Sequence, residues 1–378
     1  MKHYCVIATA PGPGEGGGMS IYLQLMDALR HSMEEGVCDE TWHVFIDEGM
    51  PMPQMPHVRY YQYHTKGFQR VWFDFVAFRR ILKEEGVRPD VIVSLQNTGV
   101  RCRCERSVIY YHQSLPLYSY HYRGFGRYAR TYYFYHYLYP LYVRLFLQKN
   151  TFVAVQTEAI KKAFSDKYRF PLHKMGVYMP SIKGVEKKDI DDWRYEAGTY
   201  NFLFPANPSP YKEHMTIAYA LKQIYLSNVD LARQIRIHFT AQRGSMKNLE
   251  QYIVENGMDS NFVFHGIVPH SQLVAMLNNS HGLLFPSLIE TLGLPLIEAA
   301  SLGVAVIVNR LEYAHEALGG YEGTTYVDVH DYEAWARIIM SCCERKERFT
   351  PYRLPKNDSW ERFLSLIREG VCHERRTS

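Results

Sequence analysis

Two glutamates, Glu290 and Glu298, frame the segment of this sequence with the clearest chemical potential. An apolar run ends at Phe285, Gly293 permits a tight backbone path, and Pro295 suits the first helical position, where its missing N–H is not needed. The pattern predicts a strand, a short loop and a helix whose first amides face the loop. Such a helix end carries about half a positive charge and unpaired donors, which suits a phosphate.

The two carboxylates add a second chemistry to this anion site. Glu290 lies in the predicted loop, and Glu298 lies about one turn inside the predicted helix. Because carboxylates accept hydrogen bonds from hydroxyls, they suit sugar rings on either side of a diphosphate. Taken alone, the pair has a plainer interpretation, in which Glu290 caps the helix and Glu298 is a solvated helix residue. The surrounding strand, glycine and proline favour the ligand.

The segment from Phe285 to Ala300 reads F-P-S-L-I-E-T-L-G-L-P-L-I-E-A-A and resembles the signature of glycosyltransferase family 4. The resemblance covers most of the C-terminal half and, more weakly, the N-terminal half. It implies a GT-B fold and a retaining transfer from a nucleotide sugar, a UDP- or GDP-sugar, without a metal or other cofactor. By that pattern, Glu298 would bind the donor ribose and Glu290 would face the transferred sugar.

Lys212 is the next residue to which the resemblance assigns chemistry. It follows the apolar run Phe202–Pro205 and opens a predicted helix, where the family places a lysine that neutralises the departing diphosphate. The family usually has an arginine about six residues earlier, but Ala206 stands there in this chain. Asn207, beside it, is a candidate donor contact. Arg243, after the next predicted strand, is a candidate substitute, and its plainer interpretation is an ordinary loop arginine.

Backbone groups complete the donor site that the resemblance implies. The amides expected at the sugar and the diphosphate are those of Thr291, Leu292 and Gly293. Gly266 and Ile267, which follow the predicted strand Phe262–His265, would contact the nucleotide base. Backbone contacts carry no base-specific signature, so the sequence does not separate a UDP-sugar from a GDP-sugar.

The N-terminal half contributes a glycine-rich loop and a histidine. A G-E-G-G-G run ends at Gly18, between a predicted strand and a predicted helix, and can let a substrate approach the backbone. The resemblance makes Gly17 and Gly18 contacts of the donor phosphate or of the acceptor. His112 ends a predicted strand, where the family often has a histidine near the donor sugar. The alternative is a structural histidine among tyrosines. Asn97 and Thr98 are further candidates.

The elements that must position these residues alternate in type. Apolar strands are predicted at Tyr4–Ala8, Thr41–Ile46, Val58–Tyr63, Val91–Leu95, Val108–His112 and Phe152–Gln156, and again at Phe202–Pro205, Ile235–Thr240, Phe262–His265, Leu283–Phe285, Ala305–Val308 and Thr325–Val329. Helical patterns lie between many of them. Fully apolar strands that alternate with helices imply parallel sheets covered on both faces. The predicted fold class is α/β, of the GT-B type, with two Rossmann-like domains facing a central cleft.

The polar stretch 181–199 is the predicted linker. It would divide an N-terminal acceptor domain, residues 1–180, from a C-terminal donor domain, residues 200–356. The C-terminal helix, within residues 357–378, would complete the first domain.

Tyrosines cluster in the N-terminal half. Twelve of the 30 lie between Tyr110 and Tyr142, and five recur at helical spacing: Tyr128, Tyr132, Tyr135, Tyr139 and Tyr142. Arg123, Arg127 and Arg130 begin the same segment. Such a stripe can dock on an anionic lipid surface or bind an acceptor. The alternative is a buried amphipathic helix, in which Pro140 is expected to cause a kink.

Composition sets the remaining bounds. The 378 residues suit two domains, and a net charge of +4 gives no argument for a nucleic-acid partner. The seven cysteines lack zinc-site spacing, and no leader or membrane-spanning run is recognised. We therefore expect a cytoplasmic protein. If it meets a membrane, it does so from the side, at the inner face of the cytoplasmic membrane.

The predicted function is transfer of a sugar to a saccharide or lipid-linked acceptor in surface polysaccharide biosynthesis, such as O-antigen or capsule assembly. The alternatives are a nucleotide-sugar epimerase of the same fold and a non-catalytic nucleotide-sugar-binding module.

Overall fold

The computed structural model describes residues 2–9, 17–34, 39–64, 67–118, 127–182, 191–345, 348–353 and 358–369. The chain divides into two compact units. The first takes Met1–Ser119, Tyr132–Ser181 and Lys356–Ser378, and the second takes Tyr120–Thr131 and Ile182–Pro355. Each unit is built around one parallel sheet.

The first unit contains a seven-stranded sheet in the order β3-β2-β1-β4-β5-β6-β7, with every neighbouring pair parallel. Its strands are β1 Lys2–Ala8, β2 Glu40–Asp47, β3 Val58–Tyr63, β4 Val91–Ser94, β5 Arg106–Tyr111, β6 Thr151–Val155 and β7 Met175–Val177. The predicted apolar strands of this unit are confirmed. The side chains of β2, β4 and β6 are buried on both faces, whereas those of the edge strand β3 are partly buried or exposed. The three-residue strand β7 is too short to give an apolar pattern in the sequence.

Helices connect these strands. They are α1 Gly17–Glu34, α2 Phe68–Trp72, α3 Phe78–Glu84, α4 Arg127–Tyr133, α5 Tyr139–Arg144 and α6 Glu158–Tyr168. Two π-helical segments interrupt the longer helical runs: π1, Phe73–Ala77, joins α2 to α3, and π2, Phe134–Leu138, joins α4 to α5. The expected kink at Pro140 takes the form of π2, which ends two residues before the proline. A widened turn there suits a residue that has no backbone N–H to donate.

The C-terminal helix α14, Ser359–Glu369, packs within the first unit. The Trp360 ring stacks on Tyr110 with centroids 5.8 Å apart, and its indole N–H donates to Gln24 over 2.8 Å. Phe363 is fully buried in the same core. The helix therefore extends the apolar core between α1 and the sheet.

The second unit contains a six-stranded parallel sheet in the order β10-β9-β8-β11-β12-β13. Its strands are β8 Tyr200–Phe204, β9 Ile235–Phe239, β10 Phe262–Phe264, β11 Gly282–Phe285, β12 Val306–Asn309 and β13 Thr324–Val327. Its helices are α7 His214–Ser227, α8 Val229–Gln234, α9 Lys247–Glu255, α10 His270–Asn279, α11 Leu294–Ser301, α12 Glu312–Leu318 and α13 Tyr332–Glu344. The sequence did not predict α6, α8 or α12.

The tyrosine stripe is divided between the protein interior and the surface. Tyr132 is buried, and Tyr135, Tyr139 and Tyr142 are partly buried. Other side chains of the same helical run are about 60% exposed: Tyr137, Leu138, Leu141 and Leu145. The Arg123 that begins the stripe lies outside the described residues. Within the described ranges, no helix is long and apolar enough to cross a membrane.

Candidate functional site

The loop between β11 and α11 has the geometry that the sequence predicts. Gly293 adopts the left-handed conformation, with φ 67° and ψ 54°, and is the residue from which α11 begins. A Cβ atom at this position would lie 2.8 Å from Leu296 Cδ1, so only glycine fits without a shift. The N-cap residue of α11 is thus Gly293, which has no side chain to cap the helix. The interpretation of Glu290 as the N-terminal capping residue is therefore wrong.

Lys212 and Glu290 form an ion pair, although 78 residues separate them in sequence. Lys212 ends a 3₁₀ turn, Pro210–Lys212, and Glu213 follows it with a φ of 54°. The two loops are joined by a backbone hydrogen bond in which Leu288 N–H donates to the Tyr211 carbonyl over 2.8 Å. Both charged side chains are nearly buried, at 11% and 13% exposure. The structure thus places an ammonium group at the loop that precedes α11.

Glu298 lies on α11 and is only 13% exposed, so it is not the solvated residue of the plainer interpretation. His270 Nε2, at the first residue of α10, is 2.9 Å from Glu298 Oε1. His270 could not be predicted from the sequence, because nothing connects it with Glu298, 28 residues further along the chain, before the fold is known. Its ring holds one carboxylate oxygen of Glu298 in place.

Thr291 and Leu292 continue the loop into α11, and the Leu292 side chain is buried beneath it. Gly266 lies after β10 with a φ of 72°, and Ile267 beside it is 95% exposed. The Asn207 side chain is engaged within its own loop, where its carbonyl oxygen accepts from Ser209 N–H over 3.1 Å.

The arginine that the family usually has about six residues before Lys212 is absent from this chain. Ala206 is buried at the expected position. Arg243 donates to Asp259 Oδ1 over 2.9 Å and lies over the Phe264 ring, 4.9 Å from its centroid. Arg243 is half exposed, and its ion pair is with Asp259. Lys212 is the cation that the structure pairs with Glu290 at the loop before α11.

A separate pocket of about 620 Å³ lies within the first unit. It is lined by Thr9, Gly18, Gly67, Arg70, Val71, Leu95, Gln96, Asn97, Thr98, His112, Gln113, Phe134, Tyr135, Leu138, Tyr139 and Tyr142. The carboxyl ends of β1, β4 and β5 reach this pocket, which is where ligands bind to parallel sheets. The structure therefore brings together His112, Asn97, Thr98 and Gly18. Gly17 is the first residue of α1, and Gly14 to Gly16 lie outside the described residues.

His112 is held by its neighbour Asn97. The Asn97 side-chain carbonyl accepts from His112 N–H over 2.6 Å, and its amide nitrogen lies 3.4 Å from His112 Nε2. Asn97 itself has a φ of 67°, which is uncommon outside glycine. Burial lowers the pKa of His112 to about 4, so its imidazole is neutral at pH 7.

A charged pair that the sequence analysis missed lies at the wall of this pocket. Arg70 Nε donates to Asp74 Oδ2 over 2.8 Å, and the Asp74 side chain is fully buried. Burial raises the pKa of Asp74, and Arg70 and the hydroxyl of Tyr142 oppose that shift. An i,i+4 pair on a helix was readable from the sequence, but such pairs are common on solvated faces, so the spacing gave no reason to single it out.

Groups of three or more side chains that could hold a metal ion are absent from the described residues.

The C-terminal half of the chain is similar to a known protein family. Residues 186–352 match the family of glycosyl transferases group 1. The O-antigen chain mannosyltransferase RfbU of Salmonella typhimurium is 29% identical over 94 residues, which cover 25% of this chain and 26% of that protein. The chain therefore spans about a quarter of the length of the curated relative it matches.

Solved structures match over nearly the whole chain. HepE of Anabaena, in complex with UDP and glucose, has a TM-score of 0.60 at 15% identity and covers 91% of this chain and 90% of its own. A sucrose-phosphate synthase from Thermosynechococcus elongatus has a TM-score of 0.62 at 17% identity, with coverage of 97% and 95%. WaaG, a glycosyltransferase involved in lipopolysaccharide biosynthesis, has a TM-score of 0.58 at 14% identity, with coverage of 97% and 100%.

These likenesses show the fold. The predicted two-domain GT-B fold is confirmed, and the predicted family resemblance is confirmed at the level of group 1. The finer assignment to family 4 stays a prediction.

Proposed function

We propose that this chain, whose residues 186–352 match the glycosyl transferases group 1, transfers a sugar from a nucleotide diphosphate sugar to a saccharide acceptor. The observation that carries the proposal is the ion pair between Lys212 and Glu290 at the loop that begins α11. A cation, a carboxylate and a helix N-terminus meet there. Those three groups complement a phosphate, a sugar hydroxyl and a developing negative charge.

The proposed donor site uses this loop for the diphosphate. The amides at Gly293 and the ammonium of Lys212 stabilise the phosphate oxygens, and Glu290 faces the transferred sugar. Glu298, held by His270 over 2.9 Å, accepts from the ribose hydroxyls. Ile267, 95% exposed beside Gly266, offers an apolar surface for the base.

The proposed chemistry is transfer with retention of the anomeric configuration. The bond between the anomeric carbon and the diphosphate oxygen breaks, and the acceptor oxygen attacks from the same face. The acceptor's proton passes to a phosphate oxygen of the leaving nucleoside diphosphate. Lys212 and the α11 amides stabilise the charge that develops on that leaving group, which is the largest contribution that a preorganised site can make.

The acceptor in this proposal is a saccharide, free or lipid-linked, that binds to the first unit. His112, neutral at pH 7, and Gly18 line the pocket offered for it. The activity of the Salmonella relative, O-antigen chain mannosyl transfer, supports surface polysaccharide assembly as the setting. The UDP complex of HepE makes a UDP-sugar the first donor to test.

A lipid-linked acceptor would require contact with a bilayer surface. Tyr137, Leu138, Leu141 and Leu145 are each about 60% exposed on the helical run π2–α5, and Phe68, at the start of α2, is 87% exposed. Monomeric proteins rarely expose several large apolar side chains together without a binding role. Exposed cations on α3 and α5, among them Arg79, Lys83 and Arg144, suit anionic headgroups.

A thermal-shift screen against nucleotide sugars tests the proposal directly. We expect at least one UDP- or GDP-sugar to raise the melting temperature of the wild-type protein, because a ligand that binds only the folded state stabilises it. Glu298→Ala should abolish most of that shift. Glu312→Ala, which changes an exposed glutamate in the first turn of α12, is the matched control and should retain it. No shift with any donor of the panel would contradict the proposal.

The same donors separate transfer from the alternative reactions. Incubation with the stabilising donor alone, followed by analysis of the sugar, should give no isomer if the chain is a transferase. An epimerised sugar would identify the epimerase. A donor that stabilises the protein, but is never consumed with any saccharide of an acceptor panel, would favour the binding module.

A further inference from the structure

The pocket of the first unit contains a charged network that the proposed transfer does not use. We propose that Arg70 binds an oxyanionic group of the acceptor, a phosphoryl or a carboxylate group, and so determines which acceptors this pocket takes. The inference rests on the proposed function, because it treats the occupant of the pocket as the acceptor.

The Arg70 guanidinium is fixed at the pocket wall from several sides. Its Nε donates to Asp74 Oδ2 over 2.8 Å, and one terminal nitrogen donates to Thr98 Oγ1 over 2.8 Å. The other terminal nitrogen donates to Thr9 Oγ1 over 3.3 Å. The side chain keeps 19% exposure and lines the pocket. The nitrogen that donates to Thr98 also contacts the Gln96 carbonyl at 3.5 Å. Four of the five guanidinium N–H groups are therefore used, and one, on the nitrogen that donates to Thr9, is left for a ligand.

The groups around Arg70 favour a ligand that only accepts hydrogen bonds. The hydroxyls of Thr9 and Thr98 each accept from Arg70, which leaves their own protons free to donate into the pocket. The amide of Asn97 lies on the same edge of the sheet. A phosphoryl or carboxylate group offers several acceptor oxygens and matches a guanidinium in geometry and charge.

Asp74 is not available to such a ligand and acts as a positioning residue. Besides Arg70, its carboxylate accepts from the Tyr142 hydroxyl over 2.7 Å and from the Gln96 amide over 3.0 Å. Its side chain has no exposure. Three donors on one buried carboxylate hold the arginine in a single orientation, which lowers the conformational cost of binding.

Backbone conformations that are uncommon in proteins occur around the same pocket. Asp74 lies on π1, and Phe134, Tyr135 and Leu138 of the pocket lining lie on π2. Both π-helical segments among the described residues therefore contribute to this one pocket or to the carboxylate that orients it. Asn97, with a φ of 67°, is a third departure from ordinary backbone there. Such features cluster at functional sites, because regular packing would otherwise remove them.

The remaining wall is apolar. Val71, Leu95, Phe134 and Leu138 line it, and Leu138 belongs to the exposed apolar run that continues to Leu145. Low dielectric beside Arg70 strengthens its attraction for an anion. The pocket is therefore suited to an acceptor that carries an oxyanion next to an apolar portion.

Three probes with the same alkyl chain test the inference on the full chain: octyl phosphate, octyl glucuronide and octyl glucoside, titrated calorimetrically below their micellar concentrations. We expect at least one of the two anionic probes to bind about tenfold or more tightly than the neutral glucoside, because charged hydrogen bonds are the stronger ones. Which anion binds better separates a phosphoryl from a carboxylate acceptor. Inorganic phosphate alone serves to show whether the apolar portion contributes.

The double variant Arg70→Gln/Asp74→Asn should bind all three octyl probes alike. Both partners are changed because an unpaired Asp74 would be a buried charge without compensation. Arg70→Lys keeps the charge and the ion pair, and should retain part of the preference if the double variant proves unstable. Arg59→Gln, which changes an exposed arginine on β3 of the same unit, is the matched control and should behave as the wild type.

Equal affinity of wild type for anionic and neutral probes would overturn the inference, as would a preference that is undiminished in the double variant or in Arg70→Lys. UDP binding, measured on the same samples, reports separately on the proposed donor site. A wild type that binds the anionic probes but no nucleotide would contradict the proposed function and leave Arg70 as an anion-binding residue.

Discussion

At the residue scale, the charged side chains of the proposed donor site are already paired with protein groups. Lys212 contacts Glu290, and Glu298 contacts His270. A donor diphosphate must therefore compete with Glu290 for the ammonium. The sequence predicted Lys212, Glu290 and Glu298 as members of one site, because a long motif and a lysine after a strand carry that information. It did not predict their pairing, which depends on how two distant loops meet.

Two buried histidines of the second unit give a testable pH dependence. Burial lowers the pKa of His214 and of His238 to about 3, from 6.5. In the unfolded chain both take up a proton below about pH 6.5, whereas in the folded chain they stay neutral until about pH 3. Stability is therefore full above pH 6.5 and falls as the pH decreases through that window, by up to about 2 kcal/mol per histidine at pH 5.

Urea unfolding at pH 7 and pH 5 measures this difference. His214→Gln should reduce the pH-dependent loss by about 2 kcal/mol, since glutamine does not titrate. His173→Gln, which changes an exposed histidine of the first unit, should leave the loss unchanged. A loss of the same size in His214→Gln and in wild type would show that other groups cause it.

At the element scale, the strands could be predicted from the sequence, whereas the π-helical segments π1 and π2 could not. Short, mostly apolar runs such as Val91–Ser94 predict strands of a sheet that is covered on both faces. In contrast, π1 and π2 keep helical spacing within a turn, so a hydrophobic pattern does not reveal them. The start of α11 was predicted because Gly293 and Pro295 mark it directly. The pocket around Arg70 was not predicted, because segments that lie far apart in the sequence build it.

The helical run π2–α5 carries the apolar face that we assign to bilayer contact. Leu141→Ser/Leu145→Ser removes two leucines that are 63% and 61% exposed and that do not line the pocket. We expect it to weaken binding to phosphatidylglycerol vesicles about tenfold or more, because each buried leucine contributes about 1.5–3 kcal/mol. Cosedimentation measures this.

Leu226→Ser provides the matched control for that experiment. Leu226 is 71% exposed on α7 of the second unit, so its loss should not change vesicle binding. If the double variant and the control bind vesicles as tightly as wild type, the apolar face has a different role.

At the scale of the whole molecule, the two proposed binding sites lie in different units, each built around one parallel sheet. The second unit contains the proposed donor site, and the first contains the proposed acceptor pocket together with α14, the last helix of the described chain. The two-sheet plan could be predicted from two alternating series of strands and helices separated by a polar stretch. The arrangement of β7 and the contacts of α14 with Tyr110 and Gln24 could not, since they join residues that lie far apart in sequence.

The central claim is that Lys212 at the loop before α11 holds the donor diphosphate. Calorimetric titration of UDP, or of GDP if the donor screen favours it, tests this most directly. Lys212→Ala should weaken binding about tenfold or more relative to wild type, because a charge-assisted contact is lost. Glu290→Gln should not weaken it, since the change frees the ammonium. The control Lys247→Ala, at an exposed lysine of α9, should match wild type. Undiminished nucleotide affinity in Lys212→Ala would contradict the account.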